Sequence, residues 1–191
     1  MNYPNKKNII YHKNINYANR GMDLENIINE TNEYLLKNDI AIIYKKPTPI
    51  GVVKVEYENN KQVITKAYFA SPSTLDYNGL YKGKYIEFDA KNTKSKTSFP
   101  LANIHEHQIK HIRNIIKHHG IVFLIICMNN EYFLLDGINL IDFIDNNARK
   151  SIPYEYLKSN GYKLEYNYIT GLNYLKYVDI IGGINNEKIK N

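Results

Sequence analysis

With 191 residues, 43% of them hydrophobic, the chain is long enough for one domain with its own core, and wholesale disorder is excluded. No apolar run approaches the ~20 residues of a membrane span, and the single cysteine, Cys127 inside "IVFLIICM", reads as a small core residue that leaves neither a disulfide framework nor a structural zinc site. The formal charge of +6 suits a polyanionic partner, although the wealth of Asn, Ile, Lys and Tyr, with no Trp, also fits an AT-rich coding sequence.

Residues 1–17 are polar and basic without clean periodicity and are expected to form a mobile arm. They show no long apolar centre and no small-residue cleavage site, so no secretion signal is expected and the cytoplasm is the expected compartment. "NRGMDLENIINETNEYLLKND" then places Leu24, Ile27, Ile28, Thr31 and Leu35 at helical spacing, with Asn19 as the expected cap. "IAIIYKKP" is a short apolar strand stopped by Pro47 and Pro49. "GVVKVEYENNKQVITKAYF" alternates on both sides of Glu58-Asn59-Asn60, the pattern of a hairpin over residues 51–70, with Val53, Val55 and Tyr57 on one face and Lys54 and Glu56 on the other. An isolated hairpin is marginal in water, so this one either packs on the body or projects and is held by something else.

A second hairpin pattern follows in "TLDYNGLYKGKYIEFDAK", and "NTKSKTSFPL" after it is a basic, hydroxyl-rich loop or strand exit. A helix is expected from about Asn103 to His119, stopped by Gly120. "IVFLIICM" is the continuous apolar run of a strand buried on both faces; "EYFLLDG" is a further strand and "INLIDFIDNNARK" a short helix. Beyond it Tyr alternates with polar residues, up to a frayed tail over residues 184–191. The order predicts a single α/β domain over residues 1–191, a mixed central sheet flanked by helices on both sides.

The chemistry rests on the second hairpin. A two-residue turn at Lys82-Gly83 sets Tyr81 opposite Lys84, and counting outward it sets Asp76 opposite Asp89 and Thr74 opposite Lys91. All four then project from one sheet face, with opposed Cβ atoms roughly 4.5–5.5 Å apart. Facing carboxylates destabilise a sheet unless a divalent cation reverses the sign, and oxygen ligands are those Mg²⁺ prefers. Lys91 adds a positive charge where the transition state of a phosphodiester would gain negative charge, so the set reads as metal-assisted phosphodiester hydrolysis. The bland reading of the same residues is an exposed, solvated sheet face. Gln108 lies on the apolar stripe of Ile104, Ile112 and Ile115, where it either caps a backbone group or reaches the cluster with its amide oxygen. Glu25 beside the first helix's stripe is either a solvated acid or an auxiliary site acid. A zinc site at His105, His107 and His111 fails the H-E-x-x-H pattern because Ile109 stands where the second His is needed.

Asp76, with Asp89-Ala90-Lys91, resembles the core of the PD-(D/E)xK nucleases. More narrowly, "NRGMDLE", "STLDYNGLYKGKYIEFDAK", "KTSFPL", "HQIKHI" and "IPYEYLK", in that order over about residues 1–180, resemble the RecU family of Holliday junction resolvases. The resemblance implies a restriction-endonuclease-like core with a protruding hairpin stalk. It also implies an endonuclease that resolves junctions by paired symmetric nicks during homologous recombination and repair. Asp76, Asp89 and Lys91 would be catalytic, with Thr74, Asp76, Asp89 and Gln108 holding Mg²⁺, or Mn²⁺ in its place. The second acid, usually Glu in the family, is Asp89 here. An intertwined homodimer is implied, with Lys54, Lys61 and Lys66 facing DNA from the stalk and Arg20, Lys94 and Lys96 contacting phosphates. Recombinase and branch-migration proteins are the further partners such a role would bring. Two other readings stand beside it: a superfamily nuclease acting on ordinary duplex, and a DNA-binding accessory protein without catalysis.

Overall fold

A computed structural model describes residues 23–70 and 74–184. The expected arm over 1–17, Asn19, Arg20 and all but the first residue of the 184–191 tail lie outside them. Helix α1 spans Leu24–Lys37 and buries Leu24, Ile27, Ile28, Thr31 and Leu35, the residues its spacing selects, with Asn32 beside them. Its cap is Asp23 rather than Asn19: Asp23 is extended, and its carbonyl accepts the amide of Ile27. Strand β1 (Ile42–Lys45) is followed by β2 (Ile50–Glu58) and β3 (Lys61–Phe69), then by β4 (Tyr77–Tyr81), β5 (Lys84–Asn92) and β6 (Ser98–Pro100). After a 3-10 turn at Leu101–Asn103 comes α2, Glu106–Lys117. It starts later than the sequence predicts because Ile104 and His105 are extended.

Strands β7 (Ile121–Met128) and β8 (Glu131–Asp136) lead into α3 (Gly137–Asn146). The chain closes with β9 (Ser151–Pro153), α4 (Tyr154–Asn160), β10 (Tyr162–Leu164), β11 (Tyr166–Asn167), β12 (Gly171–Leu172) and α5 (Tyr174–Ile181). The main sheet runs β1-β4-β5-β7-β8-β10; β5 and β7 are parallel, joined by a crossover containing α2, and the other neighbours are antiparallel. One face packs Ile28, Phe88, Phe123 and Ile125 with Leu175 and Val178 of α5; the other packs Leu124 and Ile126 with Ile112 of α2, Phe143 of α3 and Leu157 of α4. Covered on both faces, β7 needs no alternation, which explains its unbroken apolar run. On the α1 side Tyr77, Phe88 and Phe123 stack face to face, with centroids 4.9 and 4.7 Å apart.

Strands β2 and β3 pair only with each other among the described strands. Asn59 and Asn60 turn between them with φ of 49° and 62°, the left-handed pair that a two-residue hairpin turn demands. A register shift near Lys54 brings it opposite Lys66. The hairpin carries its apolar side chains in the open: Tyr57 is 75% and Phe69 82% exposed. No helix among the described residues is long and apolar enough to cross a membrane.

Candidate active site

The β4–β5 turn falls at Lys82-Gly83, with φ of 47° and 75°, and the register runs from Tyr81 opposite Lys84 to Tyr77 opposite Phe88. The paired register ends there; Asp76 is the next residue outward, beside Asp89, whose charge shifts its carboxyl. Alternation sends Phe88 to the aromatic stack and sends Glu87, Asp89 and Lys91 to the opposite face, under α2.

Asp89 is fully buried. Its Oδ2 accepts Gln108 Nε2 at 2.6 Å and lies 2.9 Å from Lys91 Nζ, while Oδ1, equally buried, has no hydrogen-bond partner. Asp76 is half-buried on the facing segment, and its carboxyl is pushed up to about 6 by burial first and then by the Asp89 carboxylate, with Lys91 and Lys45 pulling the other way. The fold thus brings Asp76, Asp89, Lys91 and Gln108 together. Thr74, partly buried, lies two residues upstream of Asp76.

Gln108 takes the capping place with its amide oxygen, so the group it turns to the acids is the amide nitrogen and not the oxygen the sequence reading offered to the cluster. Its amide oxygen accepts the His105 amide at 3.1 Å and so caps α2, and its amide nitrogen reaches Asp89. Glu25 pairs with Lys45 at the edge of the site, and Lys45 in turn feels the Asp76 charge. Lys94 and Lys96 are exposed in the connection leaving β5, at the end of the strand nearest Lys91. Lys61 and Lys66 are exposed on the hairpin; Lys54, also exposed, is paired with Glu56. His111 Nε2 lies 3.0 Å from Glu87, whereas His105 and His107 stack on each other.

One residue of the site escapes the sequence reading. Glu87, 1% exposed, lies two residues before Asp89 on the same face and takes contacts from Lys46, Leu75, Tyr85 and His111. The period of two places Glu87 on the face of Asp89 and Lys91, but nothing in the sequence separates an engaged acid there from a solvated one.

A buried carboxylate oxygen without a partner is costly unless something absent from the protein supplies one. Among the described residues no group of three or more His, Cys, Asp and Glu is placed to hold a metal, so the oxygen-bearing groups brought together are the Asp76 and Asp89 carboxylates with the Gln108 amide beside Asp89. That set fits a hard cation that keeps several of its own waters and does not fit a soft or thiolate-seeking one.

A family model described as RecU, recombination protein U, matches residues 19–180. Among similar proteins, the Holliday junction resolvase RecU of Oceanobacillus iheyensis is 46% identical over 192 residues, covering 94% of this chain and 98% of that protein. Its namesake from Staphylococcus epidermidis is 45% identical over 201 residues, covering 94% and 95%. The one from Bacillus cereus is 47% identical over 171 residues, covering 86% of each.

Proposed function

The chain belongs to the RecU family, and from that membership we propose that it is a divalent-metal-dependent endonuclease that resolves four-way DNA junctions by paired nicks in recombination and repair. The observation that carries the catalytic part is the partnerless, buried Asp89 Oδ1 beside Asp76 and Lys91. Asp76 and Asp89 would hold the cation, Mg²⁺ by the hardness of their oxygens, with Mn²⁺ able to substitute and Thr74 supplying a hydroxyl. Gln108 orients Asp89 through its amide nitrogen, while its amide oxygen, the atom a cation would take, accepts the His105 amide. Bound there, the cation supplies polarisation of the phosphoryl oxygen and a lowered pKa for the attacking water.

The remaining work falls to the chain. Lys91, tied to one Asp89 oxygen, holds its ammonium where negative charge builds on the phosphorane. Asp89 in place of Glu, one methylene shorter, leaves the ligating oxygen closer to the strand. A two-fold homodimer matches the approximate two-fold symmetry of a junction and sets two equal sites on strands of like polarity. The exposed β2–β3 hairpin serves as the stalk that enters the junction, with Lys54, Lys61 and Lys66 toward DNA and Lys94 and Lys96 on phosphates, in the cytoplasm. Shape and backbone, rather than base sequence, carry the recognition.

The test is cleavage of a mobile four-way junction, a fork and a linear duplex with Mg²⁺, mapping both cuts at nucleotide resolution. Symmetric paired cuts confined to the junction are expected, lost in Asp76→Asn and Lys91→Ala while junction binding persists in Ca²⁺. Equal cutting of linear duplex would make the chain a general nuclease. Undiminished cutting by either variant would remove the assigned site.

A further inference from the structure

Glu87 stands outside the two acids and lysine, and its partners say why. Its oxygens receive Lys46 Nζ, the Leu75 amide at 3.1 Å and the Tyr85 hydroxyl at 2.5 Å, and its Oε1 lies 3.0 Å from His111 Nε2. Three of these four meet at Oε1 and the Tyr85 hydroxyl takes Oε2. A carboxylate this fully engaged offers little to a cation, in contrast with Asp89.

The donors come from segments with something else in common. Lys46 lies in the connection from β1 to the exposed hairpin, and its own amide donates to the Asp76 carbonyl at 2.7 Å. Leu75 lies on the way back from that hairpin and immediately precedes Asp76. His111 follows Gln108 by one turn of α2. Both roots of the hairpin, the segment bearing Asp76 and the helix bearing the Asp89 partner are therefore gathered on one buried side chain.

We propose that Glu87 is a positioning residue, which holds the Asp76 segment and the hairpin root in register with Asp89 so that the two acids can share one divalent cation. This rests on the metal site of the preceding subsection. No role in touching substrate is assigned to it.

The experiment uses the full chain and Mn²⁺ as the probe, titrated without DNA and followed by the loss of the free-ion electron paramagnetic resonance signal. Glu87→Ala is expected to weaken Mn²⁺ binding by about tenfold or more, the scale on which partners of metal ligands act. Its single-turnover junction cleavage should fall in step, with metal-free junction affinity within about twofold of the parent. Glu87→Gln keeps the acceptor toward Lys46 and Leu75 and is expected to recover Mn²⁺ affinity to within about threefold of the parent. A folded Glu87→Ala that binds Mn²⁺ like the parent overturns the proposal. So does a Glu87→Gln as weak as Glu87→Ala, since charge rather than placement would then be the active property. If Glu87→Ala fails to melt cooperatively, Lys46→Met decides: a weakening of about threefold or more supports the proposal and unchanged binding overturns it. A parent protein that binds Mn²⁺ but leaves junctions uncut sinks the proposed function and not this inference, because the titration contains no DNA.

Discussion

Glu87 and Asp89 sit two residues apart on β5, project from the same face and are both buried, yet their surroundings are opposite. Glu87 has donors on both oxygens from β5, α2 and the two hairpin connectors. Asp89 has donors on one oxygen and none on the other. A satisfied buried carboxylate fixes what surrounds it; one engaged at a single oxygen costs stability and keeps an acceptor for another group. On the proposed reading one strand provides both the anchor and a metal ligand, with the anchor placed to hold the second acid.

The contrast can be broken most severely at its open end. Asp89→Ala removes the partnerless oxygen, and junction cleavage should fall by roughly 10³-fold with metal-free junction binding unchanged, measured by single-turnover cleavage and gel shift. Lys91→Ala should cost roughly 10²-fold in rate. Because it deletes a cation that competes for Asp89, Mn²⁺ affinity of the free protein should not fall; a fall would show that Lys91 organises the site and does not merely stabilise charge. Gln108→Ala strips both a hydrogen bond to buried Asp89 and the His105 cap, and should lower unfolding free energy by about 2 kcal/mol in denaturant titration.

The smallest effect is the pH dependence of the metal-free protein. Asp76 is raised from 3.8 to about 6 on folding, so in that window the folded chain binds more protons than the unfolded one. Its contribution is therefore full below the lower value and is lost as pH rises through the upper one. Melting temperature without metal should decline across this interval relative to Asp76→Asn, and saturating Mg²⁺ should erase the difference. A melting temperature that climbs through the interval in the parent alone would contradict the raised Asp76 carboxyl.

Much of this was legible before any coordinates. The Lys82-Gly83 turn and a period of two are enough to set Asp76 against Asp89, since register in a tight hairpin follows from the turn alone. Asn59-Asn60 announces the exposed hairpin in the same way. Glu87 was not legible, because a Glu at an alternating polar position reads as solvated until its partners are known. Lys46 and His111 reach it from 41 and 24 residues away. The C-terminal third was hidden for a different reason. Helices α4 and α5 have only 7 and 8 residues, and the buried Tyr174, Leu175 and Val178 cannot establish a helical period against so many tyrosines. Asn19 looked like a cap by residue type, but Asp23, four residues on, is the one next to the first buried leucine.

The column of Tyr77, Phe88 and Phe123 lies on the reverse side of the strands that carry the acids. Interior aromatic residues therefore bear on the spacing of the two acids proposed to hold the cation. Trimming Phe123 would let β5 settle into the vacated volume and carry Asp89 with it, so heat-sensitive resolution of junctions should arise from lesions in the interior, at temperatures where the chain is still folded.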